Sequence, residues 1–189
     1  MTWDGEEDAA RPPAGAVREP AQFEALVEQH STALHGYFAR RAPGAADDLL
    51  SELWLQAYAG RHGFDAERGV ARAWLFGVAR NVLSAHWRRA AQEGRSAPGE
   101  GGAGDPWEAV DARLDASALA PALRAVLGEL PDAERELLLL IAWEQLSPTE
   151  AAAVVGIPPG TARSRLHRAR TKLRECAALS STGLTGDQE

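Results

Sequence analysis

Six basic side chains and one acid fall within the seventeen residues Pro159–Glu175, PGTARSRLHRARTKLRE. The whole chain is acidic: this segment has a local balance of +5 within a formal total of -7, which leaves -12 for the remainder. Dense positive charge on one stretch suits contact with phosphate and nucleic acid. Residue type alone is weaker evidence, because 19 of the 20 basic residues are Arg, as the codon bias of a GC-rich genome would give. Their clustering carries the information. Other chemistries find little support. His30, His35, His62, His86 and His167 have no metal-ligand spacing, and the chain has neither a phosphate-binding glycine loop nor a glycine-flanked nucleophilic serine. Cys176 is the lone cysteine, so no internal disulfide or cysteine-based metal cluster can form, and an inert thiol is expected rather than a redox switch. No enzyme activity, metal, cofactor or small-molecule substrate is expected.

A basic cluster reads nucleic acid only if a rigid element presents it. Ala162, Leu166, Ala169 and Leu173 recur at spacings of four, three and four, the seam of a helix whose other face carries Arg163, Ser164, His167, Arg168, Thr171 and Arg174. Arginine can bond bidentately to guanine edges in a major groove, and Ser or His can bond to either kind of base. Arg165, Arg170 and Lys172 flank that face and suit phosphates. Upstream, Ser147 to Glu150 (SPTE) predicts a capping box with Pro148 in the first turn, then a short alanine-rich helix through Ala151–Ala153 that Gly156 ends in a left-handed turn. A short helix, a glycine turn and a longer basic helix make a helix-turn-helix. Before it, Leu137, Leu138, Leu140, Ile141 and Trp143 predict a well-buried helix.

The first half is helical as well. Phe23, Leu26, Val27, Leu34, Tyr37 and Phe38 begin the pattern. Leu49, Leu50, Leu53, Trp54, Ala57 and Tyr58 form a broad stripe, with Asp47 and Asp48 at its N-terminus and Gly60 as its C-terminal stop. Trp74, Leu75, Val78, Ala79, Val82, Leu83 and Trp87 form another, opposite Arg80, Asn81, Ser84 and Arg88. The loop RHGFDAERGVA between them holds Phe64, either a plug for the core or a surface wedge. Residues 1–20 read as an acidic tail, 21–91 as a first domain, 92–108 as a Gly-rich flexible linker, 109–176 as a second domain in which helical patterning resumes near Trp107, and 177–189 as a C-terminal tail. The expected fold is all-α: two small helical domains, the second a helix-turn-helix, on a flexible linker. No run of 18 apolar residues and no signal-peptide layout is present, so a cytoplasmic protein without direct membrane insertion is expected. These features admit an ordinary helix-turn-helix regulator whose first half senses a ligand or dimerises.

The residues LPDAERELLLLIAWEQLSPTEAAAVVGIPPGTARSRLHRARTKLRE strongly resemble region 4 of the extracytoplasmic-function sigma factors, the compact group within the sigma-70 family. AADDLLSELWLQAYAGRHGFDAERGVARAWLFGVARNVLSAHWRR resembles region 2 of the same family. The resemblance implies a subunit that binds core RNA polymerase, recognises the promoter -10 and -35 elements and directs transcription initiation. Asp48, Leu49, Glu52 and Gln56 would dock on the clamp of the largest catalytic subunit. Phe64, Asp65, Arg80, Asn81, Ser84 and Arg88 would capture a flipped base and the non-template strand at the -10 element, which strengthens the case that Phe64 is partly exposed. Arg163, Ser164, His167 and Arg168 would read the -35 element, with Thr161, Arg165, Arg170 and Lys172 on the DNA backbone. An anti-sigma factor is the implied regulator. One departure is Pro158, standing where many relatives carry a Ser or similar cap, which leaves the cap of the recognition helix unassigned.

Overall fold

The computed structural model describes residues 20–64, 70–96 and 127–183, with side chains described as far as Glu93 and Glu175 in the last helix of each half. The described residues form six α-helices and no strand: α1 (Pro20–Arg41), α2 (Ala46–Gly60), α3 (Ala71–Ser96), α4 (Asp132–Ala142), α5 (Pro148–Val155) and α6 (Pro159–Gly183). Single 3-10 turns stand at Pro43–Ala45 and Arg61–Gly63.

Helices α1 to α3 pack by the stripes their sequences predict. Leu49, Leu53 and Ala57, one per turn, are buried in α2, and Leu75, Ala79, Val82 and Leu83 are buried in α3. The leucines and the valine among them each contribute about 1.5–3 kcal/mol when fully buried. Aromatic edges close the bundle, with Tyr37 against Phe76 at 5.7 Å and Phe23 against Tyr58 at 5.2 Å between ring centroids. Asp47 and Asp48 lie in the first turn of α2, where a carboxylate faces the positive end of the helix dipole. Helix α2 ends at Gly60, the expected stop, without a left-handed turn. Its φ of -85° and ψ of -2° are right-handed, and the helix tightens into the 3-10 turn instead. Arg61 secures that turn, its Nη1 donating to the Tyr58 carbonyl at 2.7 Å with the guanidinium 3.8 Å over the Tyr58 ring.

Two expected boundaries move. Helix α3 continues to Ser96, into the stretch expected to be linker, and α6 runs through the first residues of the expected C-terminal tail. The rest of the linker, residues 1–19 and the pattern from Trp107 to Val126 lie outside the described residues.

In the second half the capping box forms: the Ser147 amide donates to Glu150 Oε2 at 2.7 Å and the Glu150 amide to Ser147 Oγ at 3.2 Å. Gly156 closes α5 at φ 77°, ψ 35°, a left-handed conformation that suits glycine. Leu127, Leu130 and Ala169 pack together, fastening the start of this half to the middle of α6. The two halves are themselves packed on each other. One continuous buried cluster runs from Phe23 in α1 to Leu166 in α6, and α5 lies against α3. The small side chains of Ala151 and Ala152, both fully buried, permit that close approach.

Candidate nucleic-acid interface

Helix α6 is seated by its seam. Ala162, Leu166 and Ala169 are at most 3% exposed, while Arg163, Ser164, His167, Arg168, Arg170, Lys172 and Arg174 are exposed and Thr161 and Arg165 half-buried. The turn before α6 places the Pro158 carbonyl where the Ala162 amide donates to it at 3.0 Å. A groove of about 270 Å³ between the start of α5 and α6 is lined by Pro148, Leu166, Arg163, His167, Arg170 and Arg174. The last four are spaced by four, three and four residues, which puts them on one face. Arg170, expected on the flank, stands in line with Arg163 and His167. Arg174, which the seam turned outward but which was not among the residues assigned to DNA, joins the same strip.

Two members of the set are engaged within the protein. Ser164 Oγ donates to the Thr161 carbonyl at 2.9 Å, leaving its lone pairs free to accept. Arg168 Nη2 donates to Glu134 Oε1 at 2.9 Å, and Glu134, only 8% exposed, sits in the first turn of α4. A charge-assisted bond to a largely buried carboxylate orients the Arg168 side chain back across its own domain.

In the first half the residues sort differently. Asp48 and Gln56 are exposed and Glu52 half-buried on one side of α2, with Gln56 Nε2 donating to Glu52 Oε1 at 2.7 Å. Leu49, expected on that docking surface, is 4% exposed and belongs to the core, since it stands at i-4 from Leu53 on the buried stripe. Leu55, outside the expected docking set, is 70% exposed, the most solvent-open large apolar side chain among the described residues. Its signal was available: it is the leucine of α2 that falls off the stripe. Phe64 is 7% exposed and packs on Trp74 at 5.3 Å, so the plug describes it and the expectation of partial exposure does not hold in this conformation. Asp65 lies outside the described residues. On α3, Asn81 and Arg88 are exposed and Arg80 and Ser84 half-buried.

Between the halves lies a buried charge cluster. Arg41 Nη1 donates to Glu144 Oε1 at 3.1 Å, Arg40 donates to Glu144 Oε2, and Tyr37 Oη donates to Glu136 Oε1 at 3.1 Å. The Arg41 guanidinium stacks 3.9 Å over the Tyr37 ring. Burial, aided by the neighbouring Glu136 carboxylate, pushes the Tyr37 phenol well above its ordinary range. Burial works against the Arg41 charge, but Tyr37, Glu136 and Glu144 together outweigh it and raise its pKa. Among the described residues no three His, Cys, Asp or Glu side chains gather as a metal site, and no helix is long and apolar enough to cross a membrane.

A capped helix-turn-helix with a basic outward strip, packed on a second helical unit, is the architecture of a DNA-binding protein of transcription. Its two halves match distinct family models: Sigma-70 region 2 over residues 26–93 and Sigma-70, region 4 over residues 121–173. The chain is 37% identical over 132 residues to the probable RNA polymerase sigma-C factor of Mycobacterium bovis, covering 69% of each chain. It is 31% identical over 182 residues to the ECF RNA polymerase sigma factor SigL of Mycobacterium tuberculosis, covering 93% of this chain and 99% of the relative. Among solved structures, CnrH in complex with the cytosolic domain of CnrY matches with a TM-score of 0.56 and 27% identity, over 88% of this chain and 93% of that one. The chain belongs to the extracytoplasmic-function group of the sigma-70 family. It is an RNA polymerase sigma factor of a family that is not a family of catalytic enzymes, and this membership does not favour a polymerase-independent regulator.

Proposed function

We propose that this sigma factor divides its work among three surfaces, and that it makes and breaks no bond itself. The observation that carries the reading is the strip Arg163, His167, Arg170 and Arg174, held by a buried seam on the second helix of a helix-turn-helix. An arginine strip of this kind fits a major groove, with Arg163 and His167 reading base edges, Ser164 accepting from a base amino group, and Thr161, Arg165, Arg170, Lys172 and Arg174 on phosphates. Arg168 is shared between DNA and Glu134. On α3, Arg80, Asn81, Ser84 and Arg88 take the non-template strand at the -10 element, together with Phe64 and Asp65. Extruding a base costs a few kcal/mol, which an enclosing pocket must offset.

Helix α2 is the docking surface for the polymerase clamp. Asp48, Glu52 and Gln56 supply polar contacts to a basic partner, and exposed Leu55 takes the apolar role first assigned to Leu49. Attachment to polymerase makes the second DNA contact effectively intramolecular once the first has formed, which lets two weak readers act together. The site of action is the bacterial cytoplasm. An anti-sigma protein as regulator is supported by the CnrH relative, whose structure is a complex with CnrY. Capture of core polymerase by immobilised protein tests the docking surface: the wild type retains it, and Leu55→Asp lowers retention at least about tenfold. Retention unchanged by Leu55→Asp and by Asp48→Arg together rejects α2 as the docking helix.

A further inference from the structure

Among the described residues Arg168 is the one cation of α6 that carries an ion pair, its Nη2 lying 2.9 Å from Glu134 Oε1. The partners are unequal: the Arg168 side chain is 64% exposed and the Glu134 side chain 10%. Both ends of the contact are anchored through the backbone. Ala169, next in the chain to Arg168, is buried against Leu127 and Leu130. At the other end the Glu134 amide donates to the Pro131 carbonyl at 2.8 Å, and Arg135 Nε donates to the Leu127 carbonyl at 2.8 Å. The carboxylate is thus held at a fixed place beside the recognition helix.

Stability does not explain a carboxylate there. Its desolvation is offset only in part by one bond from a mostly exposed arginine, and an apolar side chain of similar volume would fill the same space at less cost. What the carboxylate changes is Arg168. A guanidinium carries its donors in a rigid planar fork, so one bond to Glu134 fixes the plane and leaves enough of the fork for a base edge. A long side chain held in this way has already lost part of the rotamer freedom that DNA binding would otherwise remove. Its neighbours on that face of α6 are short and turned inward: Ser164 Oγ donates to the Thr161 carbonyl at 2.9 Å and Thr171 Oγ1 to the His167 carbonyl at 3.0 Å. Arg168 is left as the long donor between them.

We infer that Glu134 is a positioning residue for -35 recognition, which holds the Arg168 guanidinium in one plane and so makes it a reader of bases. This rests on the assignment of Arg168 to the -35 element. An untethered arginine at the protein surface follows any nearby phosphate, and such contacts carry no sequence information. An arginine fixed in plane bonds well only where acceptors on a base edge meet it, as guanine O6 and N7 do. Glu134, in the first turn of α4 and outside the helix-turn-helix, thereby sets specificity at a base it does not touch. It acts through Arg168 alone.

The test uses polymerase reconstituted with the full chain and a pool of random-sequence duplexes, sequenced after capture to give the base preference at each promoter position. Arg168→Ala identifies the position that Arg168 reads, as the one whose preference it flattens. Glu134→Leu and Glu134→Ala each leave Arg168 in water, and circular dichroism checks that helix content is native. Either is expected to lower preference at that position by about fivefold, the scale of freeing one long side chain, with the other positions unchanged. Glu134→Gln, whose amide oxygen still accepts from Arg168, is expected to keep most of the preference although it removes the charge from the first turn of α4. Glu134→Leu combined with Arg168→Ala is expected to do no more than Arg168→Ala alone. Preference left intact by Glu134→Leu and Glu134→Ala, or lowered equally at every position, overturns the positioning role. Tighter binding of the whole pool without loss of preference also overturns it, because the carboxylate would then only compete with DNA for Arg168. If Arg168→Ala flattens no position, the assignment of Arg168 to the -35 element is wrong and the inference falls with it. If it flattens one that the Glu134 variants leave intact, the assignment stands and only the positioning role fails.

Discussion

Arg41 and Glu144, 103 positions apart in sequence, form a 3.1 Å ion pair from which solvent is excluded on both sides. Removing one member of such a pair strands the other charge in a low-dielectric seam, at about 3–5 kcal/mol when no escape exists. At a seam between two packed halves, relaxation and water penetration reduce that cost. Arg41→Met therefore lowers unfolding free energy by about 3 kcal/mol or less in chemical denaturation. Arg41→Met combined with Glu144→Leu costs less than the two single changes added together. Strict additivity would show that the pair is not coupled.

The recognition helix depends on the short helix before it. Ser147→Ala removes the capping hydroxyl and costs about 1 kcal/mol. Gly156→Ala places a side chain at φ 77°, adding about 1–2 kcal/mol of strain although the surrounding space is open. Both changes lower the melting temperature, and DNA affinity follows only as far as the folded fraction falls. A Gly156→Ala variant as stable as the wild type would contradict the left-handed turn.

Base readers and phosphate contacts separate by salt. Arg163→Ala should cost about 1–3 kcal/mol on the cognate -35 sequence and relax discrimination there. Lys172→Ala should weaken all sequences alike and reduce the salt slope by about 0.9. If about four phosphates are contacted, the wild-type slope of log affinity against log salt is roughly -3.6. The comparison is made on the polymerase-bound form.

His30 gives a pH dependence. Burial, and then the nearby Arg72 charge, lower its pKa below 6.5, so the folded state binds fewer protons than the unfolded chain. Its contribution is complete above the unfolded value and is lost as pH falls through it toward the lower folded value. Melting temperature should drop on acidification through this window, and His30→Gln should flatten that part of the profile.

Local pattern made much of this legible. The stripes at Leu49, Leu53 and Ala57, the seam at Ala162, Leu166 and Ala169, and the capping box follow from the helical repeat and from short-range hydrogen bonds. Gly60 marked the end of α2 but not its conformation, because glycine permits a left-handed turn without requiring one. Leu49 and Leu55 exchange roles because a leucine is equally suited to core and contact, and only its angular position decides. Phe64 could not be placed from spacing, since its partner Trp74 stands ten residues further along the chain and outside any shared helical repeat. The packing of the halves and the Arg41–Glu144 pair were not legible at all: no periodicity links a helix end to a turn 103 residues later. That same packing changes the reading of the charge pattern, because part of the acidity is spent against Arg40 and Arg41 at the seam.

The most direct test of the central claim is run-off transcription with core RNA polymerase on the DNA upstream of this protein's own coding sequence. A discrete transcript that requires both core enzyme and this protein, and that Arg163→Ala with His167→Ala abolishes, is the predicted result. No polymerase-dependent transcript, together with a footprint on that DNA by the protein alone, would contradict it.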